Sequence, residues 1–442
     1  MNALALSIVL ATTPITLEKV RELSRRNTPA LLSQATYQQT VEQTRISRAA
    51  IFPQITSAVD ISEIWSGPQQ YTQSAVDPAT GFFTVQTRSS PATSQGRHDA
   101  SITLTQLFFD GGKWWNQIAQ SGAQEDAASG QFLEQQMTSE LEGVRRFYVL
   151  YGAQRALDVL LENVKRSKDQ LDRARALYEA GRGAKSDVIQ AQVNLGNDQI
   201  VAVKQEATIA SAQADLAYWV AFPGDEELVA QDPGTIHGQP GPTPALADAE
   251  QAAREQRPLL KALTKQIRAA EAGTAVAKGA YWPRIFGQGT YLRAGSSLDP
   301  VFTDIRLQNQ WSLSLGLRWE LFTGLSTVAT VAQSGYNEVS AKLNFEDAQR
   351  QIQSDLRRNL RNVEVQAEAA KIADVNRSAA ADGLVLAQER FTAGLANTLE
   401  VRDAQLKLTQ ADLSLLQTRI DLEVARESFW RTVGGQAAGA GR

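Results

Sequence analysis

The chain has 442 residues, no Cys, two His and a formal net charge of −4 from 44 basic and 48 acidic residues. Without Cys there is no disulfide, thiolate metal site or Cys nucleophile, and the near-balanced charge lacks the basic footprint of a nucleic-acid binder. A Ser-His-Asp arrangement or a His-rich metal site would have to use His98 or His237, both in loop-like or strand-entry sequence. No catalytic constellation and no cofactor is indicated, and the chain reads as a non-enzyme.

The first residues, MNALALSIVLATTP, carry a short apolar run, Ala3 to Leu10, that closes on Val9-Leu10-Ala11. That ending fits the small-x-small cleavage rule, so 1–13 is expected to be a signal peptide or its remnant, without the usual basic start. The alternative is a frayed apolar terminus. No run of about 18 uncharged apolar residues follows, so no transmembrane helix is predicted.

A first repeat is expected over 14–222. Residues 17–51 have a helical pattern, interrupted at Thr28-Pro29 and stopped at Phe52-Pro53. Pro cannot continue a helix and biases the residue before it toward extended backbone. Alternation then predicts strands over 55–65 and 99–108. Ile55, Val59, Ile61 and Trp65 share one side of the first, and Ile102, Leu104 and Phe108 share one side of the second. The Gly, Ser, Thr and Gln-rich segment between them, 66–96, reads as an external loop. After a turn at Phe109-Asp110-Gly111-Gly112, a long helix is predicted over 112–178, with Leu133, Met137, Leu141, Val144, Tyr148 and Tyr151 spaced as a coiled-coil seam. A helix of about 66 residues is a rod of roughly 100 Å. A tip at 179–185 and a return helix over 186–221 complete the repeat, and the Pro- and Gly-rich 223–244 reads as a linker.

The second repeat, 245–433, follows the same plan: helix 246–281 ending at Trp282-Pro283, strands 285–293 and 310–320, long helix 325–391, tip 392–397 and return helix 398–433, with 434–442 as a disordered tail. Its last strand has the clearest alternation. Trp311, Leu313, Leu315, Leu317 and Trp319 share one face, and Ser312, Ser314, Gly316 and Arg318 the other. Apolar-out, polar-in alternation bounded by Trp is the form of a lipid-facing barrel strand, and the Trp span of roughly 26 Å at about 3.3 Å per residue suits an outward apolar band. Gly287 and Gly289 suggest a bend in the strand before it. Ile352, Leu356, Leu360 and Val363 continue the seam pattern in the long helix.

The two tips align at an offset of 213 residues. Tyr178–Leu195 reads YEAGRGAKSDVIQAQVNL and Phe391–Leu408 reads FTAGLANTLEVRDAQLKL. In each, a helix ends at Gly (Gly181, Gly394) and a new one starts after a capping-type residue, Ser186 or Asn397. One chain thus supplies four strands and two long helical hairpins. Because unpaired strand edges cannot face lipid and a closed barrel needs about eight strands, the strands imply an oligomer.

This repeated tip motif, G-x(5)-[DE]-V-x(2)-A-Q, and the apolar-aromatic residue before Pro at each helix-to-strand passage resemble the TolC family of outer-membrane efflux proteins, from about Leu17 to Val433. The resemblance implies an α plus membrane β-barrel fold: a homotrimer with a shared twelve-stranded barrel in outer-membrane lipid and a long coiled-coil α-barrel extending into the periplasm. It implies a passive exit duct of a tripartite efflux or type I secretion system, opened when a periplasmic adaptor (a membrane fusion protein) and an inner-membrane RND or ABC transporter dock at the tips. Gly181, Arg182, Gly183, Gly394 and Leu395 are the adaptor-docking candidates, the alternative being that the tip residues serve helix-reversal geometry alone. Glu400 and Asp403, one turn apart on the last helix, and Asp187 are candidates for the pore constriction, where carboxylate rings favour cations; the local alternatives are a capping box from Asn397 to Glu400 and, for Asp187, a plain first-turn acid suited to the helix dipole. Relatives that carry a basic residue two positions after the second-tip Gly differ from this chain, which has Ala396; Arg182, Lys185 or Arg402 are the substitutes available. Trp65, Trp311 and Trp319 are the membrane-interface aromatics, and Trp114-Trp115 reads the same way. The competing reading is a coiled-coil scaffold with no barrel.

Overall fold

The computed structural model describes residues 12–222, 227–234, 236, 244–296, 301 and 309–435. In chain order the elements are β1 (Thr12–Ile15), α1 (Leu17–Ser24), α2 (Thr28–Ala49), β2 (Gln54–Ser66), β3 (Gln69–Val76), β4 (Phe83–Ser90), β5 (Thr93–Phe109), α3 (Lys113–Glu179), α4 (Lys185–Trp219), β6 (Glu227–Ala230), α5 (Leu246–Gln256), α6 (Pro258–Lys278), β7 (Arg284–Gly295), β8 (Asn309–Arg318), α7 (Ser326–Thr392) and α8 (Thr398–Val433). They fall into two compact units. One comprises Met1–Thr40, Glu125–Gln266 and Ala341–Arg442, the other Val41–Gln124 and Ile267–Ser340. No helix among the described residues is long and apolar enough to cross a membrane.

The second unit holds a four-stranded antiparallel sheet in the order β2-β5-β7-β8. Its register converts the alternation of each strand into rows across the sheet. Ile55 pairs with Leu104, Leu104 with Gly289 and Gly289 with Leu313. One residue along, Thr56, Thr103, Thr290 and Ser312 pair in the same way, and partners in a row share a face. One face is therefore apolar where the other is polar. The apolar side chains are bare: Leu313 is 92% and Leu315 75% exposed. The edge strands β2 and β8 each have one partner among the described residues.

Two glycines on β7 and β8 have a purpose other than a bend. A Cβ on Gly287 would lie 2.8 Å from Phe108 Cε2, and one on Gly316 2.5 Å from Phe286 Cζ. The aromatic rings lie over strand backbone that only Gly leaves open. The single irregularity between β5 and β7, at Leu107/Phe109, is where Phe108 bulges from the ladder.

The segment 66–96 is not a loop. β3 and β4 form an antiparallel hairpin, and β5 starts at Thr93 because Thr93–His98 pairs with Ser66–Ile61. Apart from a short alternation at Phe83 and Val85, most residues here are polar on both faces, so the period of a strand is faint. His98 consequently lies inside β5, while His237 lies outside the described residues. The expected linker contains β6, which pairs in parallel with β1, Thr12 opposite Glu227 and Ile15 opposite Ala230. The segment read as a signal peptide thus ends inside a strand at Thr12 and Thr13; residues 1–11, 297–300, 302–308 and the expected tail from 436 lie outside the described residues.

In the helical unit each short N-terminal helix is a pair. α1 stops at Ser24 and α2 starts after Asn27, whose Oδ1 accepts from Ala30 N at 3.1 Å. Pro258 opens α6, the first-turn position where its missing N–H costs no helical bond. The core of the first repeat is Val144, Phe147, Tyr148, Leu150 and Tyr151 of α3 packed on Val20, Leu216, Leu228 and Ile420. The seam is therefore broader than the 3–4 spacing indicates: Phe147 and Leu150 are fully buried, and Leu133 is half exposed. The second repeat packs Ile352, Leu356 and Val363 on Ala253, Leu260 and Phe429.

Around these cores runs a belt of ion pairs, Arg21–Glu427 at 2.6 Å, Arg25–Glu140 at 2.8 Å, and Arg257 and Arg431 on Glu134 at 3.1 and 2.8 Å. Burial raises the Glu427 carboxyl above its ordinary range, against the opposing pull of Arg21.

Candidate functional site at the helical tips

Both tips lie in the helical unit, and both long helices end in the same hydrogen-bond geometry. At the first, Arg182 N donates to Leu177 O at 2.8 Å and Gly181 N to Tyr178 O at 2.9 Å. At the second, Leu395 N donates to Arg390 O at 2.8 Å and Gly394 N to Phe391 O at 3.0 Å. These paired bonds are the Schellman closure, which requires a left-handed residue. Gly181 has φ +67° and Gly394 φ +76°. A Cβ on Gly394 would meet nothing within 4 Å, so a substitution there meets only the backbone penalty. Gly394→Val is expected to weaken the second tip by about 1–2 kcal/mol, measurable as faster amide exchange at Leu395; exchange equal to the parent would show that the turn is not closed this way.

The return helices start differently. Asn397 caps α8, its Oδ1 accepting from Glu400 N at 2.9 Å. Ser186 does not cap α4. That helix begins one residue earlier, at Lys185, with Ala184 at the cap position and no side-chain bond.

Between the tips is a groove lined by Leu177, Arg182, Gly183, Phe391, Gly394 and Ala396, with Asp187 at its wall. Leu395, 72% exposed, stands free on the second tip. Of the candidate acids, Glu400 does not reach back to the cap backbone. Its Oε1 instead accepts from Arg390 Nη1 at 2.6 Å, and Arg390 Nη2 also donates to Leu395 O at 3.3 Å. Asp403 pairs with Lys407 at 2.7 Å. Neither Arg390 nor Lys407 stands out in the sequence, because a basic residue on a charged helix is unremarkable until its partner is known.

Behind the tips a buried polar joint links the two hairpins. Arg402 Nη1 and Nη2 donate to Asp198 Oδ2 and Oδ1 at 2.7 and 2.8 Å, and Arg402 Nη1 also donates to Ser167 Oγ at 3.1 Å. The side chains are 14% and 8% exposed. Thr409 adds a bond to Asn163 at 3.1 Å. The apolar clusters on either side are separate: Leu171, Ala174 and Ala191 within the first hairpin, Leu384, Ala387, Val401 and Leu408 within the second. Arg402 is thus engaged inside the chain and does not serve as a basic substitute at Ala396.

The aromatic candidates lie in the sheet unit. Trp65 is 74% and Trp311 78% exposed; Trp311 leans on Tyr291 with centroids 4.6 Å apart, and Trp319 Nε1 donates to Tyr281 O at 3.1 Å.

Long paired helices with Gly-closed tips and a sheet bare on its apolar face define a membrane channel of mixed helix and strand. The outer membrane efflux protein family matches residues 20–219 and 250–435, and the chain belongs to that family. It is 24% identical over 422 residues to the outer membrane efflux protein BepC of Brucella suis biovar 1 (strain 1330), covering 94% of this chain and 84% of that one. It is 22% identical over 413 residues to the outer membrane protein TolC of Vibrio cholerae, covering 92% and 87%. Its fold matches crystal structures of CusC, described for folding and transmembrane channel formation, with a TM-score of 0.79 at 15% identity over 95% of this chain and 92% of that one. The protein is an outer-membrane efflux channel of the TolC type. A scaffold without a β-structured part does not describe this fold.

Proposed function

We propose that three copies of this chain assemble into one passive exit duct. The observation that carries this reading is the four-stranded sheet, whose edge strands β2 and β8 have no outer partners among the described residues while its exposed apolar rows suit lipid. Four strands cannot close a barrel, and twelve can. The polar rows then face water, and the helices continue the conduit into the periplasm. The groove between the tips receives the hairpin of a periplasmic adaptor, which couples the duct to an inner-membrane RND or ABC transporter. Glu400 and Asp403, with Asp187 nearby, line the narrow end, and Trp65, Trp311 and Trp319 sit at the membrane boundaries. Cargo is chosen by the pump, in efflux or type I secretion, because a wide aqueous tube selects little.

The absence of native Cys makes the test clean. Arg182→Cys and Leu395→Cys, singly, both at exposed tip positions, are expected to cross-link to a co-expressed cognate adaptor, and the protein extracted in mild detergent to have the mass of three chains. A monomeric species, or tip thiols that react with a small maleimide but never with the adaptor, would refute the assembly or the docking site respectively.

A further inference from the structure

We propose that Arg390 and Lys407 set the ion selectivity of the channel's narrow end by counter-charging its carboxylates within the same chain. This rests on the reading that Glu400 and Asp403 line that end. Each of these acids has a basic partner: Arg390 Nη1 lies 2.6 Å from Glu400 Oε1, and Lys407 Nζ 2.7 Å from Asp403 Oδ2.

Arg390 is held in place from two sides. It occupies the last turn of α7, where its guanidinium bonds Glu400 across the tip and the Leu395 carbonyl of the turn itself. The forked guanidinium thus bonds two acceptors at the turn, with its side chain 48% exposed. Lys407 sits one turn after Asp403 on α8, with the acid on the N-terminal side, the favourable order for such a pair. The third basic residue of this stretch, Arg402, faces the other way and is neutralised by Asp198, so it neither adds to nor subtracts from the charge at the mouth.

A permeating ion several ångströms away meets a carboxylate and its partner as a short dipole. The separation within each pair is far below the Debye length of about 10 Å at 0.1 M salt. The attraction for cations that bare carboxylate rings would exert is therefore largely cancelled. The two bases have no basic counterparts at the matching positions of the first hairpin. At an offset of 213 residues, Arg390 corresponds to Leu177 and Lys407 to Asn194, while Glu400 corresponds to Asp187. The second hairpin carries both the acids and the bases that compensate them.

The test uses the full trimer in planar bilayers at about 0.01 M salt, where the Debye length is about 30 Å and fixed charge is most visible. The parent is expected to discriminate weakly between potassium and chloride. Arg390→Gln/Lys407→Gln is expected to raise the cation-to-anion permeability ratio by about threefold or more and to confer block by a trivalent cation added on the tip side. Glu400→Gln/Asp403→Asn is expected to shift the ratio toward anions. Arg390→Lys, which keeps the charge, restores the parent ratio if charge is the cause. Lys407→Gln alone leaves the Gly394 turn untouched and is expected to produce part of the rise even where Arg390→Gln assembles poorly. If removing the bases leaves the ratio at the parent value while removing the acids shifts it, the compensation is refuted and the lining role stands. If neither set shifts the ratio, Glu400 and Asp403 do not line the conduit and both readings fail.

Discussion

Asp198→Ala should loosen the joint behind the tips by about 3–5 kcal/mol, because it strands a buried guanidinium that has lost its bidentate partner. Arg402 and Asp198 are nearly out of solvent, and Ser167 Oγ bonds to both. Removing either ion leaves the other desolvated. Removing both and filling the space with apolar side chains should cost far less, since the burial of two charges roughly offsets their attraction. Asp198→Leu/Arg402→Met is therefore expected to be nearer the parent than either single change. Amide exchange along the first half of α8 reads this directly, with protection falling by about a hundredfold or more in Asp198→Ala. Costs that simply add in the double variant would show that the two side chains do not act as a pair. The joint bears on opening. The apolar clusters stop short of the boundary between the hairpins, so this polar network is what holds α8 to α3 and α4 near the tips. Any motion that separates the hairpins of one chain must break it.

What could be read in the sequence was whatever repeats or alternates. The Gly at each tip is legible because two copies of one motif fall at a fixed offset, and a helix reversal needs a left-handed residue. The strand faces are legible because side chains alternate with period 2, and the register leaves Leu313 in the row of Ile55 and Leu104. The β3–β4 hairpin and the start of β5 are not legible, since beyond Phe83 and Val85 mostly polar residues on both faces carry little period. The parallel β1–β6 pair is four residues long and joins segments more than 200 residues apart, beyond any local signal. The counter-charges at the tip were hidden for a related reason. Glu400 and Asp403 are visible as acids, but Arg390 reaches Glu400 only through the turn between them. Arg390 and Arg402 each left one trace: at the repeat offset the first hairpin has Leu177 and the exposed Ile189. A charge on one copy where the other carries an apolar residue marks a contact that the symmetry of the repeat does not provide.

Leu315→Arg is expected to destabilise each chain in the bilayer by about 2–4 kcal/mol, the cost of a guanidinium near the midplane of a barrel's lipid face. Ser314→Arg should cost much less. The two positions are adjacent on β8 and project from opposite faces of the sheet. Ser314 pairs with Gln288, which pairs with Thr105, itself opposite Gln54, a row of polar side chains suited to water. Leu315 pairs with Gly287 and stands 75% exposed, midway between Trp311 and Trp319 on a face continued by Leu313 and Leu317. An exposed row of Leu bounded by Trp is stable in lipid and a liability in water. Folding into vesicles and titrating with guanidinium separates the two variants, with Leu315→Arg shifted to lower denaturant and Ser314→Arg near the parent. Depth supplies an internal control. Trp311→Arg, at the end of the Trp-bounded span, should cost only about 0–1 kcal/mol in charge burial, beyond the loss of the Trp311 contact with Tyr291. A larger shift for Ser314→Arg than for Leu315→Arg would mean that the polar face is the lipid face and that every strand in the sheet is oriented the other way, and equal shifts would mean that neither face is the lipid face.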